Sequence, residues 1–406
     1  MKTISLKIAV ALICTLSMLV SHFPPAAAGE TDKSPPVNLA RSYTSFGFDL
    51  YGELLGGRSG ENVFISPASV AFAVAMARNG AVEETEAAMS RTLHLQDMDR
   101  KKVNEANSSL IDELHKAEPE VELSIANSMW LKEGIRFYEE FTRLNEKSLD
   151  AEAFIGLDVP KINEWVSRKT KSKITKILEV LPPQTIAVLI NAIYFKGTWE
   201  LEFDKKETKD EEFQLAGGRT KPVPMMRRSD NFQYMETEDF QGISLPYGDG
   251  RISMYVFLPA ESSSLAGFSG NLGEESWNGW LASFQRRKGL IVMPRFKVEF
   301  SASLKNALRK LGMDVAFSPK SADFSGMCPV SHDRNVYIDD VLHKTFAEVN
   351  EEGTEAAAVT AVVMGVTSSA EMVRPFRMVV DRPFFFAIRD NKTGLILFMG
   401  QIVNPA

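Results

Sequence analysis

The segment from Ser66 to Gly80 constrains the fold more than any other. Ser66 offers a capping hydroxyl, Pro67 suits a first helical turn, and Asn79-Gly80 closes the stretch. Between them, Ala71-Phe72-Ala73-Val74-Ala75-Met76-Ala77 is apolar on every side. A helix with no polar face has to be enclosed by other elements of a large domain.

What encloses it changes character along the chain. Val82 to Leu93, Val103 to Leu114, and Ile162 to Lys169 around Trp165 carry amphipathic helical patterns. Afterwards the apolar runs are short and rich in branched and aromatic residues: Ala187 to Phe195, Ile252 to Leu258, Leu290 to Met293 and Phe384 to Ile388. Further strands are expected over Arg295 to Phe300 and Leu395 to Met399. Turn signals such as Tyr247-Gly248-Asp249-Gly250 and Asp390-Asn391-Lys392-Thr393-Gly394 separate them. Helices first and strands later predict an α+β domain with sizeable, mainly antiparallel sheets.

The first 28 residues read as a signal peptide. Lys2 and Lys7 precede an apolar run from Ile8 to Val20, too short to span a bilayer, and Ala26-Ala27-Ala28 supplies small residues for cleavage. A secreted product is expected, extracellular or, in a bacterium, periplasmic. Residues 29–40 read as a loose, Pro-containing tail, and 41–406 as a single domain without linker or repeat. Removing the leader leaves Cys328 alone, so no intrachain disulfide is available. The formal charge of −7 becomes −9, because the leader holds two lysines and no acid. That balance disfavours nucleic acid and anionic membranes as partners.

No catalytic constellation stands in the sequence. There is no Gly-x-Ser-x-Gly, no His-Glu-x-x-His, no phosphate-binding glycine loop and no Cys-x-x-Cys. His94, His115, His332 and His343 do not sit at metal-ligand spacing, so neither a metal nor a cofactor is expected.

One segment is odd. From Glu351 to Ser369 the chain opens with charge and a glycine, passes three alanines, and turns β-branched at Val359, Thr360, Val362 and Val363. Alanine favours helix and the later residues favour strand. As a strand, Thr354, Ala356, Ala358, Thr360, Val362 and Met364 would share one uncharged face, with Glu355 on the other. Such a strand could enter a sheet without burying a charge. Taken alone, the segment reads more plainly as a small-residue linker or helix cap.

The remaining motifs decide between these readings. Asn62-Val63-Phe64-Ile65-Ser66-Pro67-Ala68-Ser69 resembles the start of the central buried helix of serpins. Asn191-Ala192-Ile193-Tyr194-Phe195-Lys196-Gly197-Thr198-Trp199 is similar to the family's third central strand. Val223-Pro224-Met225-Met226, Leu245-Pro246-Tyr247 and Met293-Pro294-Arg295-Phe296 follow in order, as does Val341-Leu342-His343-Lys344. Glu351-Glu352-Gly353-Thr354-Glu355-Ala356-Ala357-Ala358 then matches the hinge, and Asp381-Arg382-Pro383-Phe384 with Phe398-Met399-Gly400 the C-terminus.

The resemblance implies three mainly antiparallel β-sheets, eight or nine helices, and an exposed reactive-centre loop over about 351–374. It implies a metastable inhibitor of serine proteases rather than an enzyme. The loop is cleaved, the hinge inserts as a strand, and the protease is held covalently. Ser66, Ser69, Asn191 and His343 match the family's shutter, and Trp199 with Glu351 the region where the loop first enters. Hinge length places the scissile bond at Thr367-Ser368, with Val366 as the fallback. No basic or large aromatic residue precedes the cut, which favours an elastase-like or subtilisin-like protease with a small pocket. A monomer is expected. The competing reading is a non-inhibitory member acting as a binding, chaperone or storage protein. Arg100-Lys101-Lys102 is a slight basic cluster, and Asn107-Ser108-Ser109 and Asn391-Lys392-Thr393 fit the N-glycosylation pattern.

Overall fold

The computed structural model describes residues 34–58, 60–116, 121–329, 335–354 and 374–405, and residues from Ser34 onward form one compact unit. The first half contributes helices α1 (Pro35–Leu55), α2 (Pro67–Arg78), α3 (Glu83–Thr92), α4 (Arg100–His115), α5 (Glu139–Leu149) and α6 (Val159–Lys169). Strands β1 (Val63–Ile65), β2 (Val121–Leu131), β3 (Glu152–Ile155) and β4 (Ala187–Thr198) alternate with them. Strands dominate afterwards: β5 (Lys209–Gln214), β6 (Thr220–Glu236), β7 (Phe240–Tyr247), β8 (Ile252–Pro259), β9 (Gln285–Pro294) and β10 (Phe296–Ser303). Short helices α7 (Leu265–Gly270), α8 (Glu274–Ser283) and α9 (Lys305–Leu308) interrupt the run. It ends with β11 (Asp340–Val349), β12 (Gly353–Thr354), β13 (Phe376–Val379), β14 (Phe384–Asp390) and β15 (Ile396–Ile402).

All twelve residues of α2 are buried, as its uniform apolarity requires. Ser66 caps it by accepting a hydrogen bond from the Ser69 N–H at 3.2 Å. Even Arg78 is enclosed, ion-paired to Glu86 at 2.5 Å and bonded to Ser90 at 2.6 Å.

Six strands form one sheet in the order β10-β11-β12-β4-β2-β3. Strand β4 lies inside it and separates two apolar cores. Leu189, Ile193 and Phe195 face the large core that holds α2, whereas Val188, Ile190 and Ala192 face a smaller one beneath Ile162, Trp165 and Val166 of α6. The other two expected sheets are continuous. Strand β6 pairs with β5 and β9 along most of its length, and its last residues, Gln233 to Glu236, pair with β7.

The N-terminus departs from the expected tail. Residues 35–40 are the first turns of α1 instead, with Leu39 and Ala40 fully buried. Pro35-Pro36 serve at the helix start rather than in a loop, since a missing N–H costs nothing there.

Candidate functional site

Two bonded clusters lie along the seam between β4 and β11. Through most of its length that seam is a direct parallel pairing, Asp340–Phe346 against Val188–Tyr194. Its register sets His343 beside Asn191, and the β2–β4 register sets Asn127 beside Asn191 on the other side. The row Asn127–Asn191–His343 therefore crosses three strands directly beneath the N-terminus of α2.

The hydrogen bonds in this row fix the histidine's chemistry. His343 Nε2 accepts from the Ser66 backbone N–H at 3.1 Å. Nδ1 must therefore carry the proton it donates to Asn191 Oδ1. Asn191 Nδ2 in turn donates to Ser69 Oγ and, at 2.6 Å, to Asn127 Oδ1. All these residues are buried, and burial pulls the His343 pKa down to about 3, so the ring is neutral. The four shutter residues expected from sequence are brought together. Asn127 was missed; its signal was a lone amide among the apolar residues of β2.

At the upper end of the seam β4 and β11 part, and β12 occupies the gap. Gly353 and Thr354 pair with Thr198 and Gly197 of β4, while Thr354 also pairs with Val349 of β11. Gly353 has φ +147°, and a Cβ on it would lie 2.0 Å from the Gly197 carbonyl oxygen. Only glycine fits that position. Thr354 is fully buried, its hydroxyl 2.9 Å from that of Tyr247.

Around this wedge the chain is tightly held. Trp199 stacks on Tyr247 with ring centres 4.4 Å apart, and its Nε1 donates to the Asn350 carbonyl at 2.9 Å. The Trp199 N–H bonds the Glu352 carbonyl and the Phe203 N–H the Glu351 carbonyl. The Glu351 carboxylate is 1% exposed and accepts from Arg295 and Thr208, each at 2.6 Å. Burial alone would raise its pKa, but these bonds outweigh burial and hold it below the usual value. Glu352 pairs with Lys205. Trp199 and Glu351 thus meet at this wedge, and Arg295, Thr208, Lys205 and Tyr247 complete the cluster from distant segments.

Glu355, Ala356, Ala357, Ala358, Val366, Thr367 and Ser368 lie outside the described residues. Among the described residues no cluster of potential metal ligands occurs, and no helix is long and apolar enough to cross a membrane. Cys328 is buried, with its thiol pushed up to about 11 by burial, which leaves it inert at neutral pH. His94 pairs with Asp49 at the surface, and His115 is exposed. The side chains of the Arg100-Lys101-Lys102 cluster are engaged within the fold. Arg100 donates to the carbonyls of Asn79 and Ala81, and the two lysines pair with Glu105 and Asp99. Asn107 is fully buried and accepts from Tyr43, so the folded protein cannot carry a glycan there.

A buried strand seam, a hinge segment wedged into one end and a polar row beneath it together make up the site. A family model described as Serpin (serine protease inhibitor) matches residues 41–405. Human serpin B8 is 36% identical over 382 residues, covering 91% of this chain and 100% of that protein. The leukocyte elastase inhibitor of Xenopus laevis is 35% identical, with the same coverage. Among solved structures, the native state of the thermophilic serpin tengpin matches with a TM-score of 0.82 at 32% identity, covering 90% of this chain and 94% of that one. The chain belongs to the serpin family. By family it is a protease inhibitor and not an enzyme.

Proposed function

We propose that this protein inhibits a small-pocket serine protease as a suicide substrate and is exported after loss of residues 1–28. The protease serine attacks the Thr367 carbonyl, and an ester to Thr367 forms as the peptide bond to Ser368 breaks. The proton ends on the departing Ser368 amine. The hinge then continues between β4 and β11, carrying the acylated protease toward the opposite pole.

The observation that carries this reading is the register of β12. Continued along β4, the pairing of Thr354 with Gly197 sets Thr360 opposite Asn191. Continued along β11, the pairing of Thr354 with Val349 sets Thr360 opposite His343. Both extensions deliver a hydroxyl to the row beneath α2, on the same face as buried Thr354, just where opening would break the Asn191–His343 bond. The twelve residues from Gly353 to Met364 also match the twelve of β4. Insertion over that length displaces the cleaved end by about 40 Å.

The test is incubation with a panel of small-pocket serine proteases, followed by denaturing electrophoresis and mass spectrometry. A detergent-stable complex and a released peptide beginning at Ser368 or Thr367 are expected. Cleavage in the loop with no complex from any protease would sink the reading. Export is tested separately, by sequencing the N-terminus of secreted material, which should begin at Gly29.

A further inference from the structure

The outer surface of the sheet formed by β6, β9 and β13 reverses the charge of the chain around it. Arg286 and Lys288 are exposed and two residues apart on β9, so they share a face. Arg377 of β13 pairs with Leu290 two positions further on and is exposed on that same face. The neighbouring β6 residues there, Asn231 and Ser229, pair with Lys288 and Leu290 and are uncharged. Strand geometry puts the three cations within about 14 Å of one another. None of the three takes part in an ion pair among the described residues, unlike Arg287 on the opposite face, which pairs with Glu236. On a chain of formal charge −7, these cations were left bare while most surface cations of the α4 region were paired.

We propose that this face is a docking surface for an acidic patch on the target protease. The proposal rests on the inhibitory reading above. Exposed Arg374, which leads into β13, follows Ser368 by six residues, so a fully extended connection spans about 21 Å. A protease domain is about 40 Å across. A protease occupying the scissile bond is therefore wide enough to contact this sheet. Three cations on so short a stretch suit a local cluster of carboxylates better than a long polyanion, whose binding needs more released counterions. Like-signed clusters facing opposite charge act mainly on the association rate, and the effect fades with salt.

The test uses the full-length protein and the fastest-reacting protease of the small-pocket panel, unmodified and with its surface lysines succinylated. Association rate constants are measured at 0.05 M and 0.5 M salt, for wild type and for Arg286→Glu/Lys288→Glu/Arg377→Glu. Arg286→Gln/Lys288→Gln guards against a folding defect in the triple variant. We expect about tenfold faster inhibition of the succinylated enzyme by wild type at low salt, shrinking at high salt. The charge-reversed variant should lose this advantage, the neutral variant most of it, and both should still form the covalent complex in full yield. An unchanged advantage in the variants overturns the proposal. So does a loss of heparin retention without any change in rate, which would assign the face to a polyanion. Failure of wild type to form a complex with any protease overturns the inhibitory reading itself, and is seen without reference to the variants.

Discussion

His343 sits between a backbone N–H and an amide oxygen, with no charged group bonded to it. Its folded pKa of about 3 lies below the unfolded value of 6.5. Below pH 6.5 the unfolded chain takes up a proton that the native site refuses. The stability this site contributes is therefore complete above pH 6.5 and falls by about 1.4 kcal/mol per pH unit as pH drops toward 3. His343→Gln should cost about 1–3 kcal/mol at pH 7.5, through imperfect replacement of two buried hydrogen bonds. Between pH 6.5 and 5 its denaturation midpoint should decline less steeply than that of wild type. Parallel slopes would show that His343 does not report on the fold's acid sensitivity. Glu351 has the opposite chemistry, since its partners favour the charged form. Arg295→Gln should cost about 1–3 kcal/mol at pH 7, and the difference should vanish in acid, once the carboxylate is protonated below its depressed pKa. A deficit that persists after the carboxylate has been protonated would mean the arginine acts by packing. The sequence carried the shutter residues only as parts of longer motifs. Asn127, Thr208 and Arg295 gain meaning from partners 56 to 143 residues away, and no local pattern encodes such pairings.

At the scale of elements, α2 and β4 were readable because each has a composition that only burial explains. The first turns of α1 were not, because Pro-Pro marks a loop and a helix start equally well. The hinge was half readable. Period two exposed its uncharged face, but whether that face was waiting outside the sheet or already entering it depends on a gap between strands whose paired residues are 152 apart in sequence. Two substitutions separate the wedge from the strand that would follow it. Gly353→Ala places a Cβ against the Gly197 carbonyl and should expel β12, which would disturb the Asn350 contact and the stacking on Trp199. A shift in tryptophan emission without loss of the fold is expected; an unchanged spectrum would mean that the wedge tolerates the methyl group. Thr354→Arg instead leaves a cation where the hydroxyl is fully buried against Tyr247. Burying it would cost several kcal/mol, so insertion should lose to hydrolysis of the acyl-enzyme. The number of inhibitor molecules consumed per protease inactivated should rise several-fold, and an unchanged ratio would count against insertion along this face.

For the molecule as a whole, the proposed mechanism makes the six-stranded sheet a compromise. Its central seam pairs β4 and β11 in parallel over seven residues, yet Gly353 and Thr354 of the hinge already pair antiparallel to β4, and Thr354 to β11 as well. Replacing one parallel seam by two antiparallel ones adds a full ladder of hydrogen bonds and buries a face of Thr, Ala, Val and Met side chains. On the proposed mechanism the intact connection prevents this, because the chain that follows it enters β13, which is paired along β9. Cutting the tether removes the obstacle without changing one residue of the sheet. Cleavage between residues 365 and 373 by a protease that is not trapped should therefore raise the midpoint of thermal unfolding by tens of degrees, far more than a single substitution achieves. The gain should depend on the inserting face. Thr360→Arg, designed to meet the Asn191–His343 row, should leave the intact protein's midpoint unchanged and abolish most of the rise after cleavage. Cleaved wild type that melts where the intact chain does would mean that the sheet holds no better arrangement in reserve, and the covalent trap would lose its driving force.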